Sequence, residues 1–244
     1  MTRSTPVGVI IGTGVTGHFD LSRPKNVKSA FGSVTVYEQA AERYVVIPRH
    51  GAEHKVPPHA INYRANIAAL ERLGTKEVIA TSAVGSMNRG FVVGGLGLAE
   101  QFIDFTRRRE VTFFGDEVRH TDMTNPYSRR VNEALASAAM KLGVKLRAGL
   151  VYVCTDGPRF ETAAEIKMYR KLGGDVVGMT GVPEVVLAKE KGIDYSSVLV
   201  ATNWAAGMQP AVSHEEVSKV MEGAGKLVKR LIEGAVRGLT GDER

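Results

Sequence analysis

The chain has 244 residues, 43% apolar and 24% charged, a globular composition long enough to bury a sizeable core and unlike that of a disordered protein. Its formal charge of +6 is spread along the sequence without a clustered basic face or readout motif, so no nucleic-acid partner is expected. The single cysteine, Cys154, allows no intrachain disulfide and fits a reducing compartment, and no run of about 18 apolar residues predicts a membrane span.

The opening MTRSTPVGVIIGTG reaches glycines too soon for a signal peptide, which makes the cytoplasm the expected compartment. Pro6 to Ile11 predicts a strand that stops on Gly12-Thr13-Gly14. Glycines there permit close backbone approach and the Thr13 hydroxyl suits an oxyanion, although an ordinary structural turn has the same composition. The motif lacks the spacing of a dinucleotide loop and the lysine of a nucleoside triphosphate loop. Tyr44 to Ile47 predicts a second strand, ending at Pro48-Arg49-His50-Gly51. Arg49 offers a planar cationic donor fork and His50 either a directional donor or a cation, a pair fitted to phosphate oxygens or to a solvated loop.

Helical composition follows over Tyr63 to Leu73, then a buried strand over residues 78 to 85, VIATSAVG. Arg107-Arg108-Arg109 and the run from Lys226 to Arg230 read as solvated faces, and His18, His54, His59 and His120 read as local hydrogen-bonding residues without metal-ligand spacing. A helix over Arg130 to Leu142, a strand over Gly149 to Cys154 and a helix over Glu161 to Leu172 come next, with Cys154 a packing residue. Val176 to Met179 is a strand, Val182 to Lys189 a helix, Ser197 to Thr202 a strand, and His214 to Ala235 a long amphipathic helix. Met179 beside Thr180 suits a pocket with one apolar and one polar wall. Asn203 ends an apolar strand, a position shared by caps, turns and ligand-binding amides. The alternation predicts an α/β fold: a single domain over residues 1–244, with a central mixed β-sheet flanked by helices and its chemistry at strand ends.

The strings IGTG, PRHG, NYRANI, TSAVGS, GPRFETAAE, DVVGMTGVPEVVLAKE and ATNWAAG, in that order, resemble the trimeric purine nucleoside phosphorylase and methylthioadenosine phosphorylase family along almost the whole chain. Ile11 departs from the family's double glycine. The resemblance implies a phosphorylase-like fold and reversible phosphorolysis of a nucleoside to a free purine and a pentose 1-phosphate. Inorganic phosphate is the co-substrate, with no metal or organic cofactor. It implies a phosphate site at Thr13, Arg49, His50, Ser82, Ala83 and Thr180, and a nucleoside site at Met179, Asn203, Trp204 and Ala205, with Glu161 and His214 setting specificity.

Adenine-selective relatives carry aspartates where Asn203 and Ala205 stand and a small hydroxyl residue where Glu161 stands. Asn203 donating toward O6 or N7 and Glu161 accepting from N1–H therefore imply a 6-oxopurine. His214 resembles the residue that binds a ribose 5′-hydroxyl, which favours inosine and guanosine. The alternative is S-methyl-5′-thioinosine, to which the NWAAG block and His120, similar to a residue contributed by a neighbouring subunit, also point. Methylthioadenosine phosphorolysis and noncatalytic nucleoside binding rank lower. A homotrimer, or a multiple of trimers, is implied by the resemblance alone.

Overall fold

Strand β1 (Val7–Ile11) is buried along its whole length because it lies between two parallel neighbours, β4 (Tyr44–Pro48) and β5 (Glu77–Ser86). Both faces of these strands are covered, which is why VGVII and YVVIP are apolar throughout rather than alternating. Ile10, Val45, Ile47, Val78 and Ala80 face a core shared with α1 (Tyr63–Arg72) and α4 (Gly181–Glu190). Val7, Val9, Ile11, Val46 and Ile79 face the other side, under α2 (Arg129–Lys141) and α5 (His214–Thr240). A third cluster seats α3 (Ala163–Lys171) through Ile166 and Tyr169 on Met87, Val153 and Val177.

The structure is a computed structural model describing residues 5–39 and 43–241, and these share one nine-stranded mixed sheet. The other strands are β2 (Pro24–Ser29), β3 (Gly32–Gln39), β6 (Leu96–Asp104), β7 (Leu146–Cys154), β8 (Val176–Gly178) and β9 (Asp194–Trp204). Their order is β2-β3-β4-β1-β5-β8-β7-β6-β9, and β9 also pairs with β5, closing a five-strand circuit. Strand β5 pairs with β1 only at Val78, Ile79 and Ala80, and on the same edge it meets β8 at Gly85 and Ser86. Between these contacts, Thr81 to Val84 have no paired strand on that edge among the described residues. An α/β sheet binds ligands in such crevices beyond a strand's carboxyl end.

The mixed sheet flanked by helices is the expected architecture, and the elements read from the sequence are present within a few residues of their bounds. The hairpin β2–β3 and strand β6 were not anticipated. PKNVKS buries only Val27, so it carries no continuous apolar signal, and β6 turns from buried to exposed halfway along. The helix expected from Glu161 starts at Ala163, because Thr162 and Glu165 form a reciprocal capping box. Glu161 is thereby left in the preceding loop. Among the described residues no helix is long and apolar enough to cross a membrane.

Helix α5 begins with Ser213 accepting from the Glu216 N–H and stops at Gly241 in the left-handed region, with φ 72°. Val217, Met221, Val228, Leu231 and Ile232 form its buried stripe, which fixes the rotation that brings His214 to the cavity described next.

Candidate active site

The unpaired stretch of β5 floors a cavity of about 380 Å3, within the usual size for a small-molecule site. Its walls come from the ends of β1, β4, β8 and β9 and from the loop ahead of α3. The cavity brings together Thr13, Arg49, His50, Ser82, Ala83, Thr180, Met179, Asn203, Ala205, Glu161 and His214, residues scattered over two hundred positions of sequence.

Arg49 is set by a fully buried network. Its Nε and Nη2 donate to the two oxygens of Glu184 at 2.8 and 2.7 Å, and Nη1 donates to the Thr81 carbonyl at 2.8 Å. Both side chains of this ion pair are fully buried, and Tyr195 donates its hydroxyl to Glu184 at 2.7 Å. Burial works against the Arg49 cation, but the adjoining Glu184 carboxylate outweighs it and raises the pKa further. Three of the five guanidinium N–H groups are thus engaged, leaving one on each terminal nitrogen for a ligand. Gly12 is required by this geometry: a Cβ there would stand 2.9 Å from Arg49 Nη1 and 3.2 Å from the Thr81 carbonyl. The Gly12 N–H in turn donates to Thr81 Oγ1 at 2.9 Å, holding the turn that presents Thr13.

His50 Nδ1 lies 2.8 Å from the Val56 carbonyl, an acceptor only, so Nδ1 carries the proton and Nε2 is the ring's acceptor in the neutral form. Burial, and then the Arg49 cation, push its pKa down to about 4. His50 is therefore neutral near pH 7, with Nε2 able to accept from a ligand hydroxyl. Thr180 is buried at the N-cap of α4, where its side chain makes no capping bond. Its backbone N–H and that of Gly181 are both directed to the Tyr152 hydroxyl, at 3.2 and 3.3 Å. Ser82 Oγ is 3.3 Å from Ser197 Oγ in the core beneath.

Glu161 and Asn203 are held by short-range contacts. Thr155 donates to Glu161 Oε1 at 2.8 Å, leaving Oε2 for a ligand. Burial raises the Glu161 pKa, with the Thr155 hydrogen bond acting against that rise. Asn203 is buried and faces Gly85, where a Cβ would stand 3.2 Å from Asn203 Nδ2. Its carboxamide lies between the Thr202 hydroxyl, 2.8 Å from Oδ1, and the Trp204 carbonyl, 2.9 Å from Nδ2. Met179 closes another wall, and Gly157, with φ 64°, leaves it room: a Cβ there would be 2.5 Å from the Met179 sulfur.

Two expected residues lie elsewhere. Trp204 does not line the cavity, because the strand's alternation turns it away from Asn203; Arg89 sits over its ring at 5.1 Å. His120 is exposed in the irregular segment between β6 and α2 and lines no part of the cavity within one chain. Three residues not assigned to the site from the sequence acquire a place. His54, left-handed at φ 56°, lines the rim with its Nε2 3.4 Å from Thr13 Oγ1 and its ring 6.4 Å from that of His214. Glu184 anchors Arg49. Arg109, expected to be solvated, is nearly buried and donates to the carbonyls of Met179 at 2.6 Å and of Thr155 and Asp156 at 3.1 Å, as well as to that of Val182. It ties the ends of β7 and β8 together behind the cavity. Local sequence gave no signal for it, since its partners are main-chain carbonyls from distant segments. The Cys154 thiol is buried and pushed up to about 11, first by desolvation, as befits a packing residue.

A family model described as the phosphorylase superfamily matches residues 6–237. A probable 6-oxopurine nucleoside phosphorylase of Moorella thermoacetica is 46% identical over 241 residues, covering 96% of this chain and 93% of its own. A probable S-methyl-5′-thioinosine phosphorylase of Methanopyrus kandleri is also 46% identical, over 237 residues, covering 94% of this chain and 92% of its own. Among solved structures, methylthioadenosine phosphorylase from Schistosoma mansoni in complex with tubercidin superposes with a TM-score of 0.90 at 31% identity, covering 99% of this chain and 93% of that one.

Proposed function

The chain belongs to the phosphorylase superfamily, and from that premise we propose that it is a 6-oxopurine nucleoside phosphorylase, converting inosine or guanosine and inorganic phosphate to the free purine and ribose 1-phosphate. The observation that carries this reading is one cavity holding both an anchored arginine beside Thr13 and Thr180, and an Asn203–Glu161 pair of opposite hydrogen-bonding sense.

Phosphate is gripped by the two free Arg49 donors, the Thr13 and Thr180 hydroxyls and the Ala83 N–H, while His50 Nε2 accepts from its P–O–H. Holding the nucleophile against the anomeric carbon converts an encounter into an oriented reaction, and the donors replace the hydration that phosphate gives up. As the new C–O bond forms, the glycosidic C–N bond breaks and its electron pair moves onto the purine. Asn203 stabilises that charge by donating toward N7 or O6, and Glu161 Oε2 accepts from N1–H. Met179 walls the ribose. No metal and no organic cofactor takes part.

A second reading keeps the base and changes the 5′ substituent. Val212 and Val217 line the cavity beside His214, an apolar wall that suits the methylthio group of S-methyl-5′-thioinosine. We also propose a cytoplasmic homotrimer acting in purine salvage. The irregular 105–128 segment, with Val118 91% exposed beside His120, suits a subunit contact that would carry His120 to a neighbour's site. Phosphate-dependent turnover of inosine, guanosine, adenosine, S-methyl-5′-thioinosine and methylthioadenosine tests the assignment. Inosine and guanosine should lead. A lead for S-methyl-5′-thioinosine selects the second reading, and a lead for either adenine nucleoside defeats the base assignment. Light scattering of the purified chain tests the trimer.

A further inference from the structure

Consecutive strand residues point to opposite faces, so neighbours in sequence do not normally bond through their side chains. Thr202 and Asn203 do. The pairing of β5 with β9 runs in register to Val84 opposite Ala201 and resumes with Gly85 opposite Asn203, so Thr202 is the extra residue of a β-bulge. Bulges of this kind re-aim a side chain, and this one brings Thr202 Oγ1 to 2.8 Å from Asn203 Oδ1, with both residues buried.

A carboxamide presents a donor at one end and an acceptor at the other, and the two ends have nearly the same shape. Asn203 by itself therefore suits a 6-oxo group in one orientation and a 6-amino group in the other. Thr202 has one proton and two acceptors in reach, Asn203 Oδ1 and the Val84 carbonyl at 3.3 Å. The Trp204 carbonyl settles the choice: it only accepts, so the amide end 2.9 Å away is the NH2, and the end facing Thr202 is the oxygen. The hydroxyl proton then belongs to the Asn203 bond.

We propose that Thr202, through this hydrogen bond in the bulge, is a specificity-determining positioning residue that acts with the Trp204 carbonyl at the other end of the amide to hold the Asn203 carboxamide with its free N–H toward the ligand, and so selects a 6-oxo over a 6-amino purine. The proposal rests on the purine nucleoside phosphorylase reading. It assigns discrimination to a side chain that need not touch the base, and it explains why the bulge stands at this position of β9.

Thr202→Val keeps the shape and removes the proton, whereas Thr202→Ser keeps the proton. At saturating phosphate, Thr202→Val should lower kcat/KM for inosine roughly fivefold, the factor for one buried hydrogen bond, with a smaller change in the Ki for adenine than in that for hypoxanthine. The KM for phosphate should stay at the wild-type value, and Thr202→Ser should restore inosine turnover. Wild-type inosine kinetics in Thr202→Val, equal losses for both bases, a parallel rise in phosphate KM, or a serine variant as impaired as valine would each overturn the proposal. A wild-type chain that releases no base on addition of phosphate would instead defeat the activity reading on which it rests.

Discussion

Replacing Glu184 by glutamine tests the anchoring of Arg49 directly. The carboxylate accepts three hydrogen bonds, from Arg49 Nε, Arg49 Nη2 and the Tyr195 hydroxyl, at 2.7 to 2.8 Å and in full burial. Glutamine keeps the volume but turns one oxygen into a donor, which must face a donor of Arg49 or Tyr195, and it leaves the guanidinium without a counter-charge. Losing one partner of a buried ion pair costs about 3–5 kcal/mol. For a chain of this size, that corresponds to a fall in Tm of roughly 6–20 °C. Thermal unfolding followed by circular dichroism measures it. A second arm separates the anchor from simple packing: inorganic phosphate supplies the missing negative charge, so it should raise the Tm of Glu184→Gln by more than that of the wild type. A Tm within two or three degrees of wild type, or equal stabilisation of both proteins by phosphate, would refute the reasoning.

Asn203→Asp should reduce inosine kcat/KM by at least about tenfold in steady-state assays, because an acceptor would replace the Nδ2 donor both 2.9 Å from the Trp204 carbonyl and toward the base. His50 predicts a pH dependence of stability. Its folded pKa is about 4 against about 6.5 unfolded, so above pH 6.5 neither state binds the proton and the contribution is fully present. Between those values the unfolded state alone is protonated, and stability falls as pH falls. Urea unfolding at pH 7 and 4.5 should therefore show the wild type losing about 2–3 kcal/mol more than His50→Gln.

Much of this molecule is legible without coordinates. Strands with both faces covered announce themselves as unbroken apolar runs, and helices by period and caps, so β1, β4, β5, β9 and helices α1 to α5 could be read locally. The hairpin β2–β3 could not, because an edge strand that buries one valine in six residues carries too little apolar signal. The candidate site divides along the same line. Gly12-Thr13, Arg49-His50, Met179-Thr180 and Asn203 stand at the ends of readable strands, and their residue types already suggested anion and amide chemistry.

What the sequence alone determined was the fold class and the kinds of side chain gathered at the strand ends, because both follow from local period, composition and motif. Tertiary structure decided how those side chains are used. It turned Arg109 inward, exposed His120 and faced Trp204 away from the cavity. It also placed Glu184, 135 positions along the chain, against Arg49, and spent one residue on a bulge so that Thr202 reaches Asn203. Each of these depends on contacts between segments remote in sequence, or on a register shift between paired strands. The energy of such contacts is set by where two backbones meet and not by either segment alone.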